Sequence, residues 1–404
     1  MLHLRSVPQQ LFQNLPNLEH LDLNGNDLTY LPQTEFSTLL RLKSLNLQGN
    51  QFSYVPTKIL GGLIMLETLD MSNIGHVRFP TAALAGLDRL KSLKLVYYQF
   101  HSLPADAFDR QKDLIELDLS FNEFYSVPEG LLTKLTKLQN LKMRECGLTN
   151  IPWDDLAHLQ NLKNLDISYN NLTSLPSIAF STLTDLEELD IVGNDLSSLN
   201  SDTFGGLTKL RVLNLGVNKL EELPEGVFSG LTNLTLLVLS SNKLKTLNKR
   251  IFYKLSNLEH LDLQDNELTS LPVGVFGGLY NLKTLLLARN EMTTIEPGTF
   301  AGLHSVRSLG FYRNRLSHLP PDVFADMKTL QSLWLSDNEL TDIPEGLFKG
   351  LTDLQALSLT RNKLKALKPG LFKDLASLDG LYLSFNQLTE LPKGLFSGMA
   401  FTFQ

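Results

Sequence analysis

Residues capable of catalysis are few in this chain and lie far apart in sequence. Its 404 residues include one cysteine, Cys146, which could act as a nucleophile, and eight histidines. His20 with Asp22 and His260 with Asp262 could form proton relays, but both pairs belong to a duplicated segment, NLEHLDL, so repetition explains them. No phosphate-binding loop, HExxH or GxSxG motif is present. We therefore expect no catalytic residue, no metal site and no cofactor.

The composition of the chain argues against nucleic acid as a partner and against a segment that crosses a membrane. The chain is 43% hydrophobic and 20% charged with a net charge of -7, which is typical of an ordinary folded protein. A nucleic-acid surface needs clustered Lys and Arg, so we expect no DNA or RNA partner. No stretch approaches the roughly 18 apolar residues that cross a bilayer, and the first residues lack the pattern of a signal peptide. We expect no membrane span in this chain.

One repeat supplies all the elements that could position a functional residue. Leucine recurs every 24th residue from Leu18 to Leu378, with Val306 as the single departure, within the pattern LxxLxLxxNxLxxLPxxxFxxLxx. Sixteen copies follow without insertion across residues 18–401, residues 1–17 form part of another copy, and residues 402–404 begin a further copy or form a tail. The pattern predicts one continuous repeat domain over residues 1–404.

Each repeat predicts one short strand and an irregular return. Alternating apolar residues over LxxLxLxx indicate a strand, and successive strands stack as a parallel sheet. Asparagine holds the ninth position in thirteen copies, where a buried amide can bind the backbone of a turn. The exceptions are Ile74, Tyr98 and Cys146. We therefore expect Cys146 to be a buried substitute for asparagine rather than a reactive thiol.

This pattern resembles the typical 24-residue class of leucine-rich repeats found in Toll-like receptors and lamprey variable lymphocyte receptors. The resemblance implies an α/β fold, a solenoid curved into a horseshoe with a parallel β-sheet on its concave face and irregular or short helical segments on its convex face. It also implies a receptor ectodomain or adhesion segment, extracellular or at the cell surface, with a role in innate immunity. A glycoprotein is implied too, with sequons at Asn171 and Asn233.

The exposed face of the sheet is the expected binding surface, formed by the third, fifth, seventh and eighth repeat positions. In the fifth position charges alternate in sign from Asp70 to Asp166, which predicts a self-neutralising ladder. Beyond Asp166, a cluster of acidic residues on the exposed face is followed by a cluster of apolar residues. Exposed apolar side chains beside charges of one sign are typical of a binding site for a partner. We expect a protein or peptide ligand at this junction, which comprises Asp166, Glu188, Asp190, Val192, Val217, Leu236, Val238 and Leu286.

A second cluster towards the end of the chain is the competing partner site, because Trp, Tyr and Arg dominate interface hot spots. Its residues are Arg289, Tyr312, Arg313, Trp334, Arg361, Tyr382 and Phe385. A third group, Tyr97, Phe121 and Tyr169, abuts the copies that lost their asparagine. We interpret that group as decay of the repeat rather than as a site.

The predicted function is therefore a non-catalytic recognition scaffold. The alternatives are a structural spacer or matrix protein, or the substrate-recognition segment of a larger enzyme whose catalytic domain lies outside these residues. Neither end shows a polar cap, so we interpret the chain as a stretch of a longer protein and expect its ends to fray or self-associate.

Overall fold

The structure is a computed structural model that describes residues 3–75, 79–98, 100–177, 179–397 and 399. Within these residues the chain divides into two compact units, the first Met1–Thr173 with Ala179–Asp195, the second Ser174–Ile178 with Leu196–Gln404. The single continuous domain stays a prediction, and the predicted last repeat and tail fall partly outside the described residues.

The first unit contains eight strands of three residues, one in each repeat. Its strands are β1 (His20–Asp22), β2 (Ser44–Asn46), β3 (Thr68–Asp70), β4 (Ser92–Lys94), β5 (Glu116–Asp118), β6 (Asn140–Lys142), β7 (Asn164–Asp166) and β8 (Glu188–Asp190). Each pairs in parallel with the next at a shift of one whole repeat, so that Leu21 aligns with Leu45 and Leu165 with Leu189. Equal repeat lengths produce this uniform register.

The second unit repeats this arrangement. Its strands are β9 (Val212–Asn214), β10 (Leu236–Val238), β11 (His260–Asp262), β12 (Thr284–Leu286), β13 (Ser308–Gly310), β14 (Ser332–Trp334), β15 (Ala356–Ser358) and β16 (Gly380–Tyr382). They pair in parallel in chain order, with Leu237 aligned to Leu213 and Leu261. Both units thus confirm the predicted solenoid of parallel strands.

Two apolar columns form the core of each unit. The central leucine of nearly every strand is buried, as at Leu93 and Leu285. Behind the sheet, the phenylalanines of the nineteenth position stack on one another, with ring centroids 6.2 Å apart for Phe252 and Phe276. Each such side chain contributes about 1.5–3 kcal/mol by leaving water. Because every repeat buries its residues against the next one, adjacent repeats stabilise one another.

Turns make up most of the return path between strands. In the described residues the exceptions are a 3₁₀ turn at Thr81–Leu84 and one helix, α1 (Trp153–Leu156). Each follows a proline, Pro80 or Pro152, because proline fits the start of a helix but cannot continue one. The predicted irregular or short helical segments are confirmed. None of the described helices has the length and apolar character needed to cross a membrane.

Candidate binding surface

Eight of the sixteen strands end in a turn that their own fifth-position Asp or Asn side chain closes. In β7, the Oδ1 atom of Asp166 accepts the backbone N–H of Ser168 at 3.0 Å. Such Asx turns are local side-chain mimics of a backbone turn. The same contact is made by Asp22, Asn46, Asp70, Asp118, Asp190, Asn214 and Asp262. These carboxylates therefore have a structural role that the sequence analysis missed.

The predicted alternating-charge ladder takes a different form. In the described part of the first unit, Lys94 pairs with Glu116 of the neighbouring strand at 3.4 Å rather than with Asp70 or Asp118. The regular ion pairs instead join second-position residues one repeat apart, as in Lys43 with Glu19 at 2.7 Å. Such exposed pairs contribute only about 0–1 kcal/mol each.

The asparagine ladder binds backbone groups of two successive repeats. The Oδ1 atom of Asn50 accepts the N–H of Leu28 at 3.1 Å. Its Nδ2 atom donates to the carbonyl oxygens of Leu23 at 2.9 Å and Leu47 at 2.8 Å. An amide side chain can make these contacts because its oxygen accepts while its NH₂ group donates two hydrogen bonds. The predicted role of the ninth position is thus visible in the hydrogen bonds.

Cys146 takes the place of a ladder asparagine. Its Sγ atom lies 3.2 Å from the carbonyl oxygen of Leu119, which corresponds to the carbonyl that an asparagine amide would bind in the preceding repeat. The side chain is fully buried. Burial raises the pKa of the Cys146 thiol to about 12, so the thiol is protonated at neutral pH and is a poor nucleophile.

The aspartates of the two duplicated His–Asp pairs have a structural role. Asp22 accepts the N–H of Asn24, and Asp262 accepts that of Gln264, so each aspartate closes a turn. The described residues hold no group of three or more His, Cys, Asp or Glu side chains that could bind a metal.

The residue at the eighth position of every repeat has a left-handed backbone conformation. All sixteen residues there have positive φ, although only three are glycine. Val217 is the exceptional case, with φ at 51°, because β-branched residues tolerate this region poorly. Its side chain is 47% exposed. Backbone strain combined with apolar exposure is more common at functional positions than elsewhere.

The predicted junction site has its acidic part in the first unit. Asp166 and Glu188 lie on adjacent strands, β7 and β8, with Asp190 aligned directly to Asp166. Asp190 accepts the backbone N–H of Val192 at 3.0 Å, and Val192 is half-buried. Asp166 and Asp190 thus each use one carboxylate oxygen for a hydrogen bond that closes a turn.

The apolar part of that predicted site, apart from Val192, lies in the second unit. Leu236 and Val238 are half-buried on β10, where Leu236 aligns with Val212. Leu286 lies on β12, and Asp262 of β11 separates it from Val238. Leu286 instead lies beside Gly310, against the competing cluster. Leu236 and Val238 therefore lie together on β10, whereas Leu286 lies beside the competing cluster.

The competing cluster lies within the second unit, and two of its rings are in contact. We define the aromatic shelf as Tyr312, Trp334, Tyr382 and Phe385. Trp334 and Tyr382 stack with centroids 6.5 Å apart and planes at 27°. They come from β14 and β16, so they meet across Ser358 of β15, which is only 5% exposed. A small side chain between two large ones lets the rings approach each other.

Polar contacts hold the remainder of the shelf. The hydroxyl of Tyr312 donates to Oε1 of Gln264 at 2.9 Å. The guanidinium of Arg361 lies 5.1 Å from the ring centroid of Phe385 and 3.6 Å from Asp337. Cations over ring faces are attracted electrostatically. The two other arginines flank the shelf on its eighth-position edge, Arg289 paired with Asp265 at 2.5 Å and Arg313 exposed.

Charges near the shelf are confined to the eighth position. The third, fifth and seventh positions of β12 to β16 hold only uncharged residues, mostly hydroxyl, small and aromatic side chains. In the first unit the same positions carry a charged residue in seven of eight repeats. The third, fifth and seventh positions are thus uncharged on β12 to β16 but include a charged residue in most repeats of the first unit.

The residues of the third aromatic group contact one another and Arg144, which simple decay of the repeat would not predict. Tyr97 and Phe121 stack with centroids 4.5 Å apart. Arg144 lies 4.1 Å from the centroid of Tyr169 and donates to Ser168 at 3.0 Å. We call these four residues, Tyr97, Phe121, Arg144 and Tyr169, the rim stack. Sequence analysis missed Arg144 because it belongs to the seventh position rather than the eighth.

The two sequon asparagines differ in their contacts. Asn171 is exposed. Asn233 is also exposed, but its Nδ2 atom donates to the carbonyl oxygen of Thr208 at 2.7 Å. The same contact between successive repeats is made by Asn161, Asn257 and Asn281. Asn233 is therefore part of a second, outer asparagine ladder that the sequence analysis did not find.

Solved structures resemble this chain over most of its length. A leucine-rich repeat protein of Leptospira interrogans is 30% identical, with a TM-score of 0.78 over 96% of this chain and 90% of that one. A plant peptide hormone receptor, RGFR1, in complex with RGF2 is 25% identical, with a TM-score of 0.72 over 96% of this chain and 62% of that one. The Toll receptor of Drosophila in its complex with Spatzle shares the fold, at 23% identity and a TM-score of 0.76 over 91% of this chain and 54% of that one.

Sequence comparison agrees with the structure. No curated protein matches the chain. The leucine rich repeat family model matches residues 3–52 and, in overlapping segments, residues 88–401. The repeat pattern, the asparagine ladder and the parallel strands are the features that such a match requires. The chain belongs to the leucine-rich repeat family.

Proposed function

We propose that this protein is a non-catalytic scaffold that binds a protein or peptide on the exposed sheet face of its second unit, at the aromatic shelf. The observation that carries the proposal is the stacked pair of Trp334 and Tyr382, which lies where the third, fifth and seventh positions of the sheet are uncharged. The fold of the family and the peptide bound by the plant receptor support a binding scaffold.

The chemistry of this face suits recognition of a polypeptide. Tyrosine and tryptophan offer large contact areas at low conformational-entropy cost, and small hydroxyl residues add adaptable hydrogen bonds. Ser336, Thr360 and Ser384 supply such hydroxyls in the seventh position beside the shelf. Rings already held by neighbours lose little freedom on binding. The shelf therefore provides hot-spot residues in a preorganised arrangement.

The partner we propose is a largely uncharged segment. Two of the three arginines beside the shelf are paired, Arg289 with Asp265 and Arg361 with Asp337. A polyanion would need several cations that are not neutralised by nearby carboxylates. A neutral, aromatic or aliphatic peptide can cover the rings without leaving a buried charge unpaired. We therefore propose a peptide ligand in preference to nucleic acid.

The apolar pair Leu236 and Val238 on β10, within the second unit, is the second candidate site. Both side chains are half-buried on the exposed face of the sheet. In the first unit, two of the three carboxylates of the predicted junction already bind turn N–H groups, which weakens the argument from charge. We rank the pair on β10 below the shelf for this reason.

We further propose that the chain works outside the cell, as a receptor or adhesion segment with a role in innate immunity. The plant receptor supports a binding role, and exposed Asn171 offers a glycosylation site. A matrix spacer and the recognition segment of a larger enzyme are the alternatives. Secreted expression in eukaryotic cells followed by mass spectrometry tests the glycoprotein part, and a secreted chain without glycan at Asn171 would contradict it.

Selection from a displayed library of random peptides tests the binding proposal. The wild-type protein is the target, and the double variant Trp334→Ala with Tyr382→Ala is the counter-target. We expect enriched peptides that are poor in charged residues and bind the double variant at least about tenfold more weakly, a loss of about 1.4 kcal/mol. Enriched peptides that bind both proteins equally would overturn the shelf as the site, and so would displacement of them by single-stranded RNA.

A further inference from the structure

A cavity in the second unit lies between the return segments that follow β14 and β15, outside the strands of the sheet. Its volume is about 330 Å³, which falls within the range of small-molecule sites. Charged side chains form much of its wall, namely Glu345, Lys349, Lys368, Lys373 and Asp374. The cavity is therefore suited to a charged occupant rather than to an apolar one.

The opposite charges of this wall do not neutralise one another. None of the five side chains takes part in an ion pair within the part of the chain that the structure describes. Elsewhere in the second unit such charges do pair, as in Lys363 with Glu339 at 2.6 Å. Asp374 uses its Oδ2 atom to accept the N–H of Gly350 at 3.0 Å. Three ammonium groups and the exposed carboxylate of Glu345 are thus available to a molecule in the cavity.

Two repeats of the first unit show how the corresponding turn holds a carboxylate. The N–H of Gly130, at the seventeenth position, donates to Oδ2 of Asp155 at 2.9 Å. The N–H of Gln10, at the same position, donates to Oε2 of Glu35 at 3.0 Å. Both carboxylates come from the eighteenth position of the following repeat, and both are buried. A carboxylate thus fits against this turn, because backbone N–H groups of left-handed turns form anion sites.

The turn at the cavity has the same backbone but no such carboxylate. Gly346 holds the seventeenth position with φ at 91°, against 93° for Gly130. Leu371 holds the eighteenth position of the following repeat, and its side chain cannot accept a hydrogen bond. The N–H of Gly346 has no acceptor among the described residues. A carboxylate of a ligand would satisfy this N–H as Asp155 satisfies that of Gly130.

The charges of the wall select a ligand that carries both signs. Carboxylates on the ligand can face the three lysines and the N–H of Gly346, which are all donors. An ammonium group can face Glu345. A polyanion would place like charges beside Glu345 and Asp374, which is unfavourable. An acidic amino acid combines two carboxylates with one ammonium group in a small volume.

We propose that the cavity between the return segments after β14 and β15 binds a free acidic amino acid. Its carboxylates lie at Lys349, Lys368, Lys373 and the N–H of Gly346, and its ammonium group lies at Glu345. This site is independent of peptide binding at the aromatic shelf. It accounts for the cavity, for the wall charges that form no ion pair among the described residues, and for the free N–H.

Calorimetric titration of the full chain with L-glutamate at low salt tests the proposal. We expect saturable binding of one glutamate per chain. Glutarate lacks the ammonium group and L-glutamine lacks the second carboxylate, so each should bind at least about fivefold more weakly. Lys349→Gln and Lys373→Gln should each weaken glutamate binding about fivefold, because one charge pair is lost. Lys365→Gln, at an exposed lysine outside the wall, is the matched control and should stay within about twofold.

Two further variants test the parts of the site separately. Glu345→Gln removes the partner of the ammonium group, so glutamate should bind about fivefold more weakly, whereas glutarate should bind no more weakly than it binds the wild type. Leu371→Glu adds a carboxylate at the position of Glu35 and Asp155. That carboxylate should occupy the N–H of Gly346 and abolish saturable glutamate binding.

Controls for folding and for the shelf complete the experiment. Circular dichroism establishes that each variant is folded, and the two lysine variants carry the test if Leu371→Glu fails to fold. Trp334→Ala removes the main ring of the shelf and should leave glutamate affinity unchanged. The proposal is overturned by absence of saturable binding, by glutarate binding as tightly as glutamate, or by folded lysine variants that match Lys365→Gln.

Discussion

The hydroxyl of Tyr312 donates to Oε1 of Gln264 at 2.9 Å, two repeats away along the sheet. The strand β12 lies between the two residues, so the tyrosine side chain crosses the face at Ala288. This contact fixes one ring of the aromatic shelf before any ligand arrives. Preorganisation of this kind raises affinity because less conformational entropy is lost on binding.

The buried thiol of Cys146 should make stability fall at alkaline pH. Its pKa is about 12 in the folded protein against an ordinary value of 9.0. The folded state therefore holds the proton more tightly, and between about pH 9 and pH 12 the unfolded state gains stability by releasing it. The free energy of unfolding should decrease over this window more steeply in the wild type than in Cys146→Ala.

Urea unfolding at a series of pH values measures this difference. The Cys146→Ala variant is the control for the lysines and tyrosines that also titrate at high pH. Labelling of the native protein with a bulky maleimide at neutral pH should be slow and should follow unfolding. Parallel pH profiles, or rapid labelling of the native thiol, would show that the thiol is accessible.

Val217 should be replaceable with a gain in stability. Its positive φ of 51° costs a β-branched residue about 1–2 kcal/mol, whereas asparagine tolerates this conformation. We expect Val217→Asn to raise the free energy of unfolding by about 1 kcal/mol in urea titration. Val273→Asn, at an exposed valine without positive φ, is the matched control and should change little. A loss of stability in Val217→Asn would refute the strain.

An asparagine of the buried ninth-position ladder should contribute more to the stability of the protein than an asparagine of the outer ladder. Asn266 accepts the N–H of Leu244 at 3.0 Å and donates to the oxygens of Leu239 and Leu263 at 3.0 and 3.2 Å. Asn266→Ala leaves these buried groups unpaired and should cost about 2–4 kcal/mol. Asn257→Ala removes one exposed contact to Thr232 and should cost under about 1 kcal/mol. Equal urea midpoints for the two variants would contradict the ladder's role.

Removal of the Tyr98 hydroxyl should stabilise the protein. A buried polar group without a partner costs about 1–3 kcal/mol, and Tyr98→Phe removes it without changing the packing of the ring. We expect a rise of about 1 kcal/mol in the free energy of unfolding. Tyr125→Phe, at an exposed tyrosine of the next repeat, is the control. A marked loss of stability in Tyr98→Phe would mean that the hydroxyl already has a partner.

The repeat pattern was sufficient to predict the strands, their parallel order and the buried ladder. These features depend on spacing, which equal repeat lengths preserve from Leu18 to Leu378. The burial of Cys146 followed from its ladder position in the same way. Periodicity predicts which residues face inward because the backbone alternates regularly.

Contacts between side chains on the surface could not be predicted from spacing. The stack of Arg144 on Tyr169 joins a seventh position to an eighth, and the pairing of Trp334 with Tyr382 requires the small Ser358 between them. The left-handed backbone of the eighth position is equally hidden, because Val217 and Phe385 have no preference for it. A sequence column shows residue types but not which neighbours they touch.

The measurement that tests the central claim most directly is calorimetric titration of a library-selected peptide into the wild type, Trp334→Ala and Val238→Asp. Trp334→Ala should raise the Kd at least about tenfold, a loss of about 1.4 kcal/mol or more, because it removes the main ring of the shelf. Val238→Asp should leave the Kd within about twofold. Unchanged affinity in Trp334→Ala together with lost affinity in Val238→Asp would place the ligand at β10 and contradict the account.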